Sequence, residues 1–298
     1  MKGPIVWLDM DQAELDAAYD QSAYAPNREQ ILARYAANSE AARARLGAPR
    51  RHAYGESAVE GLDVYPTRVA DAPVNVFIHG GAWRSGLAKN YGFAAELFVD
   101  AGAHFVVPDF AWVQDVGGSL LPMADQVRRA IAWVARNARA FGGDPGRVYL
   151  SAFSSGAHLA AVALTTDWRR DFDLPADVVK GALCSSGIYD LRPVRLSARS
   201  AYVKITDEIE HALSPGRHVG AIAAPLVVAY GGRETPEFQR QARDFAAAAR
   251  AAGKAVELLF AEHYNHFEMF ETLASPYGVL GRAALRLMKL TYPGQHGG

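Results

Sequence analysis

From about residue 61 onward, short β-branched apolar runs alternate with longer segments whose apolar positions recur every three or four residues. The strand candidates are 61–65 (GLDVY), 74–79 (VNVFIH), 104–109 (HFVVPD), 147–152 (RVYLSA), 180–186 (KGALCSS), 225–230 (PLVVAY) and 256–261 (VELLFA). Between them, 123–142 carries Val127, Ile131 and Val134 at helical spacing. The segment 236–253 has Pro236 just inside its start and Gly253 at its end, which is how helices are punctuated. Strands that are apolar throughout, rather than alternating, belong to parallel sheets covered on both faces. The expected fold class is α/β: a mostly parallel central sheet with helices on both faces, spanning 61–292.

The first 60 residues read differently. They hold two helical stretches, 11–21 and 27–47, and no strand pattern. A second irregular segment, roughly 190–220, is also expected to be helical, broken by LSPGRH. Neither is long enough to form a domain alone. Both are therefore expected to fold over one face as a partial lid, with 1–60 the small helical N-terminal lid segment of a single-domain core. The tail PGQHGG is expected to fray.

Composition narrows the classes. With 298 residues, half of them apolar, the chain can bury a large core. Its 31 basic and 32 acidic residues are interspersed, giving a net charge of −1 and no basic stripe, so a nucleic-acid partner is not expected. No apolar run reaches the ~18–20 residues of a membrane span, so no membrane partner is expected either. The start, MKGPIVWLDMDQAEL, lacks the apolar stretch of a secretory signal, which leads to a cytoplasmic expectation. The single cysteine, Cys184, allows no internal disulfide and sits in an apolar run as a core residue.

The chemistry concentrates at two turns. SAFSSGAHLA (151–160) follows a strand and opens a helix, placing Ala152, Phe153, Ser154, Ser155 and Gly156 on the G-x-S-x-G pattern of a nucleophilic serine. Ser154 holds the central position. Ser155, one residue on, competes, but there the backbone N–H is the useful group. HGGAW (79–83) follows the strand 74–79, and its glycines let N–H groups turn into a site. In that arrangement the N–H groups of Gly81, Ala82 and Ser155 would form an oxyanion hole. His79 reads as a loop anchor and His158 as a packed core histidine.

A serine needs a base and an orienting acid, in the chain order Ser, acid, His for this fold. His266 and His263 are the base candidates, and His266, heading a helical run, is preferred. Glu234 and Glu237 are the acid candidates. Glu234 lies in the loop just past a strand, whereas Glu237 falls in a first helical turn, where a carboxylate complements the helix dipole. The expected catalytic set is Ser154, Glu234 and His266.

With these motifs in view, the chain resembles the kynurenine formamidase (arylformamidase) group of α/β-hydrolases, near the hormone-sensitive-lipase-like esterases. HGGAW, VVPDF, FGGDPGRVYLSAFSSGAHLAA, GALCSSGIYDL, GGRETPEFQRQ and NHF carry the resemblance. It implies an α/β-hydrolase fold and hydrolysis of N-formyl-kynurenine to kynurenine and formate, with no metal and no organic cofactor. It also implies that an N-terminal segment with Tyr19, Tyr24 and Tyr35 folds over the site. Trp83, Tyr24 and Tyr35 would then bind an aromatic leaving group. Ala152 for Gly and Ser155 where Ala is frequent depart from the group's pattern and leave the substrate open. The partner is a small molecule with an acyl or formyl group on an aromatic body, and a homodimer is left open. Three competing readings stand beside this one: a carboxylesterase for small aryl or alkyl esters, a non-catalytic ligand-binding scaffold, and a metallohydrolase using His263 and His266.

Overall fold

Backbone pairing gathers the apolar runs into one sheet. The computed structural model describes residues 2–293. The chain opens with a short antiparallel hairpin of β1 (Ile5–Trp7) and β2 (Met10–Asp11). The main sheet comprises β3 (Arg50–Ala53), β4 (Gly61–Tyr65), β5 (Ala72–Ile78), β6 (His104–Pro108), β7 (Gly143–Phe153), β8 (Val179–Ser185), β9 (Leu226–Arg233) and β10 (Val256–Asn265). Their spatial order is β3-β4-β6-β5-β7-β8-β9-β10. Strand β4 runs antiparallel to both neighbours, and the strands from β6 across to β10 are parallel.

All seven strands expected beyond residue 61 are present. The three before it were not expected and correct the purely helical reading of 1–60. The sequence of β3 is Arg-Arg-His-Ala, largely exposed at the sheet edge. A charged edge strand resists pairing with other chains, and it carries no alternating apolar signal to read. The sheet therefore begins at Arg50, so the junction between N-terminal segment and core lies before β3 rather than at residue 60. The helices of that segment fall where the pattern put them, at Gln12–Ala18 and Arg28–Leu46. The 190–220 segment carries the short helices Arg192–Leu196 and Asp207–Ala212. The expected fraying concerned a tail whose residues 294–298 lie outside the described residues.

Successive strand residues point to opposite faces. Val74, Val76 and Ile78 of β5, with Val148, Leu150 and Ala152 of β7, join one core under helices Leu121–Asn137, Ser155–Leu164 and Pro236–Ala251. Phe77, Phe105, Tyr149, Phe153 and Leu183 join the other, under helices Ala95–Asp100, His266–Glu271 and Val279–Met288. The helix Ser155–Leu164 is buried at every position, which explains why its sequence is apolar all round. Cys184 is fully buried in β8, and burial pushes its thiol up to about 12, so it stays protonated. No helix among the described residues is long and apolar enough to cross a membrane.

This topology locates the site. From β5 the chain crosses to β6 on one side, then returns to β7 on the other side of β5. Connections leaving in opposite directions open a crevice outside the carboxyl ends of β5 and β7, where parallel sheets bind ligands. Helix Ser155–Leu164 closes the floor of that crevice because Gly156 lets it touch the end of β5. A Cβ at Gly156 would sit 2.2 Å from the Ile78 carbonyl oxygen and 2.3 Å from that of His79. Gly156→Ala should therefore destabilise the fold by about 1–3 kcal/mol, as overpacking does. A urea unfolding midpoint equal to that of the parent protein would refute this account of the packing.

Candidate active site

Ser154 follows the last residue of β7 and caps the helix Ser155–Leu164 with φ 58° and ψ −127°. A non-glycine residue held there costs about 1–3 kcal/mol and persists only where its surroundings impose it. The surroundings are backbone hydrogen bonds on both sides: Ser154 N–H donates to Ser185 O at 2.9 Å, and His158 N–H donates to Ser154 O at 3.2 Å. The turn lifts the Ser154 side chain off the sheet edge toward His266. Ala152, in place of the pattern's first glycine, is an ordinary strand residue buried against Ile78, so its methyl costs nothing there.

The three expected residues meet. His266 Nε2 lies 2.9 Å from Ser154 Oγ, and His266 Nδ1 lies 3.0 Å from Glu234 Oε2. Glu234 has no solvent exposure, His266 has 4% and Ser154 has 8%. An ionised carboxylate only accepts hydrogen bonds, so Nδ1 carries the proton it gives to Glu234 and Nε2 is left as an acceptor for the serine hydroxyl. The imidazole is held among rings, with Phe153 at 4.8 Å, Phe238 at 5.1 Å and Phe267 at 5.1 Å between centroids.

Glu234 has a partner that sequence reading missed. Its Oε1 accepts from Gly231 N–H at 2.7 Å and from the Ser186 hydroxyl at 2.7 Å. Ser186, just past β8, has φ 56° like Ser154. A signal was present: a Ser-Ser-Gly run ends β8 (Ser185–Gly187) as one follows β7 (Ser154–Gly156), with the positive-φ serine one place later. The alternative acid, Glu237, sits in the first turn of helix Pro236–Ala251, as expected, and also pairs with Arg240 and accepts from the Tyr19 hydroxyl.

The HGGAW loop bends through a run of positive φ: Gly81 at 126°, Ala82 at 53° and Trp83 at 63°. Gly81 cannot carry a side chain, since a Cβ would lie 2.1 Å from the Ser85 carbonyl oxygen. Among the described residues no acceptor is assigned to the N–H of Gly81 or Ala82, while Trp83 N–H donates to Ser155 Oγ at 3.2 Å. Ser155 N–H, first in its helix, has no intrahelical acceptor by construction. His79 anchors the loop through Nδ1 and the Gly80 carbonyl at 2.9 Å, stacked between Tyr91 and Phe110.

Two of the expected aromatic contacts need correcting. Tyr35 is 2% exposed, stacked on Phe93, with its hydroxyl donating to the Phe267 carbonyl, so it clamps the His266 helix instead of facing a substrate. Trp83 was expected to bind the aromatic leaving group, yet it is 1% exposed and its indole N–H donates to His158 Nδ1 at 3.2 Å, which commits its edge to the core. Tyr24 lies at the surface of the turn Gln21–Tyr24, 44% exposed. His263 is likewise exposed, with Glu262 3.9 Å away. No cluster of three or more metal-ligating side chains occurs among the described residues.

The N-terminal segment instead braces both partners of the serine. Gln21 Oε1 accepts from Thr235 N–H at 3.1 Å, and Thr235 Oγ1 donates to Ala18 O at 2.7 Å, beside Glu234. Asn27 reaches Glu268 at 2.8 Å and Asn265 at 2.9 Å, the two residues whose capping box starts the His266 helix.

These features define a class. A positive-φ serine after a central parallel strand, next to histidine and glutamate from the following strand ends, belongs to a serine hydrolase of the α/β-hydrolase fold acting on acyl amides or esters. Residues 62–186 match the family model BD-FAE. Kynurenine formamidase of Danio rerio is 30% identical over 295 residues, covering 95% of this chain and 98% of that protein. The Salmo salar kynurenine formamidase is also 30% identical, with the same coverage. A solved chain from Silicibacter sp. tm1040, described as a thioesterase, superposes with a TM-score of 0.78 at 25% identity, over 90% of this chain and 97% of that one. The chain belongs to the kynurenine formamidase family.

Two predictions follow from the geometry. Burial lowers the His158 pKa from 6.5 to about 4, with Nε2 2.7 Å from the Leu213 carbonyl. Between those values the unfolded chain binds the extra proton and the folded one does not, so stability falls as pH drops, by up to about 3 kcal/mol. His158→Gln should flatten that acid slope in urea unfolding; an unaltered slope would rule it out. Ser186→Ala should cut kcat about tenfold at constant KM, the scale of one lost hydrogen bond to a charged group. Unchanged kcat would leave Ser186 a packing residue only.

Proposed function

We propose that the enzyme hydrolyses an aryl formamide of the N-formyl-kynurenine type, releasing formate and the free aryl amine. Ser154 Oγ, giving its proton to His266 Nε2, attacks the formyl carbon. The carbonyl oxygen becomes an oxyanion held by the N–H groups of Gly81, Ala82 and Ser155. His266 passes the proton to the departing nitrogen, the C–N bond breaks, and a formyl ester remains on Ser154. Water, deprotonated by His266, attacks that ester, and collapse returns the proton to Ser154 and frees formate. Glu234 keeps Nδ1 protonated and stabilises the imidazolium that forms twice in the cycle.

The observation that carries this reading is the unbroken series Ser154 Oγ, His266 Nε2, His266 Nδ1, Glu234 Oε2, with links of 2.9 and 3.0 Å. Similarity to kynurenine formamidases along 95% of the chain supports the formamide as substrate. A second reading, a carboxylesterase using the same residues, is favoured by fold likeness to esterase LipW of Mycobacterium marinum, at TM-score 0.70 and 19% identity.

N-formyl-kynurenine and p-nitrophenyl acetate assayed on one preparation separate the two. The formamide should be the better substrate by kcat/KM, and a markedly poorer rate on it would assign the enzyme to esters. Ser154→Ala and His266→Ala should each lower kcat by at least about 10³-fold, and the double variant should lose little more, since the pair acts as a unit. Substantial activity in Ser154→Ala would remove the acyl-enzyme.

A further inference from the structure

Arg199 belongs to the 190–220 segment and projects between the N-terminal segment and the catalytic loops. Its guanidinium carbon lies 5.3 Å from the Tyr19 ring centroid, 5.7 Å from that of Trp83 and 5.9 Å from that of Phe238. Trp83 belongs to the oxyanion loop, and the Phe238 ring is edge-on to His266 at 5.1 Å. The guanidinium is thus one aromatic ring removed from the imidazole and seated against the loop that faces Ser154.

No carboxylate among the described residues lies within ion-pair distance of it, and Asp20 acts on it only through space. The neighbouring arginines Arg195, Arg217 and Arg240 each pair with a carboxylate. Among the described residues Arg199 has no such pair, and its side chain donates only to the Tyr19 carbonyl, at 2.8 Å. Arg84, next after Trp83, lies over Tyr202 at 4.6 Å, has no carboxylate partner among the described residues, and adds a second positive charge that Arg199 senses. Burial holds the Arg199 guanidinium below its ordinary value. A desolvated guanidinium walled by rings, with four of its five N–H groups uncommitted, is built to take a planar anion.

We propose that Arg199, with Arg84 at the rim, forms an anion subsite that binds a carboxylate carried on the leaving-group side of the substrate. The placement on that side rests on the formamidase reading above, because a formyl group has no room for a carboxylate and the acid must belong to the departing amine. The enzyme's preferred substrates are accordingly aromatic formamides bearing a free carboxylate.

The test uses two matched pairs and the full chain: N-formyl-kynurenine against its carboxamide, and 3-acetoxybenzoate against 3-acetoxybenzamide. Arg199→Gln should raise KM about tenfold or more for each acid, while kcat, and both constants for each amide, stay within about threefold. Arg199→Lys should recover part of the loss. Equal effects on acid and amide, or an unmoved KM for both acids, would overturn the subsite and leave Arg199 as a brace for Tyr19. If no formamide is turned over but the acidic ester still depends on Arg199, the formamidase reading fails and the subsite stands. Should Arg199→Gln not fold, inhibition of the unmodified enzyme decides: 3-phenylpropanoate should compete with p-nitrophenyl acetate at least about tenfold more strongly than 3-phenylpropanamide, and equal inhibition would sink the proposal.

Discussion

A carboxylate with no solvent exposure is the constraint around which this molecule is arranged. Burying the Glu234 charge without partners would be prohibitive, so each oxygen must be matched by donors. The donors come from three strand ends: the Ser186 hydroxyl past β8, Gly231 N–H within β9, and His266 Nδ1 past β10. Satisfying one anion thus ties three strand ends together and sets the tautomer of the imidazole. The geometry at Ser154 Oγ is inherited from that network rather than built separately.

The same logic explains strain on the other side of the crevice. Ser154, Ala82, Trp83 and Ser186 all occupy positive φ without being glycine. Each sits at a carboxyl end of the parallel sheet, where the ladder stops and its hydrogen bonds no longer dictate direction. Close helix–strand contact at Gly156, stacking of His79 and the Trp83–His158 hydrogen bond hold these turns in place.

The N-terminal segment braces the catalytic loops. Gln21 and Ala18 hold the loop beside the acid, while Asn27 and Tyr35 hold the start of the base's helix. Acid and base are separated by 32 residues in sequence, and one preceding segment grips both. The aromatic residues there divide between clamping and exposure: Tyr35 is spent on the base's helix, and Tyr24 lies at the surface.

Much of this was legible in the residues themselves. Parallel strands buried on both faces are apolar throughout, so β5, β6, β8 and most of β7 and β9 announce themselves, while the antiparallel β4 and the edge strand β10 were read from their short apolar runs. A turn that demands small residues writes a local motif, so Ser154, Gly156 and the HGGAW loop could be read directly, and chain order then led to Glu234 and His266. The charged edge strand β3 had no apolar period to detect. Tyr35 and Trp83 looked like binding aromatics because a sequence reports ring chemistry and not what covers the ring. Ser186 and Arg199 escaped for a related reason: a hydrogen bond to a residue 48 positions away, or a guanidinium packed among rings, is a property of the assembled fold. Local patterns, set by sterics and burial over a few residues, determined the elements and the chemistry-bearing groups. Which groups meet, and which are spent on holding the others, was decided only when the strand ends converged, because desolvation and pairing act between parts of the chain that are neighbours in space alone.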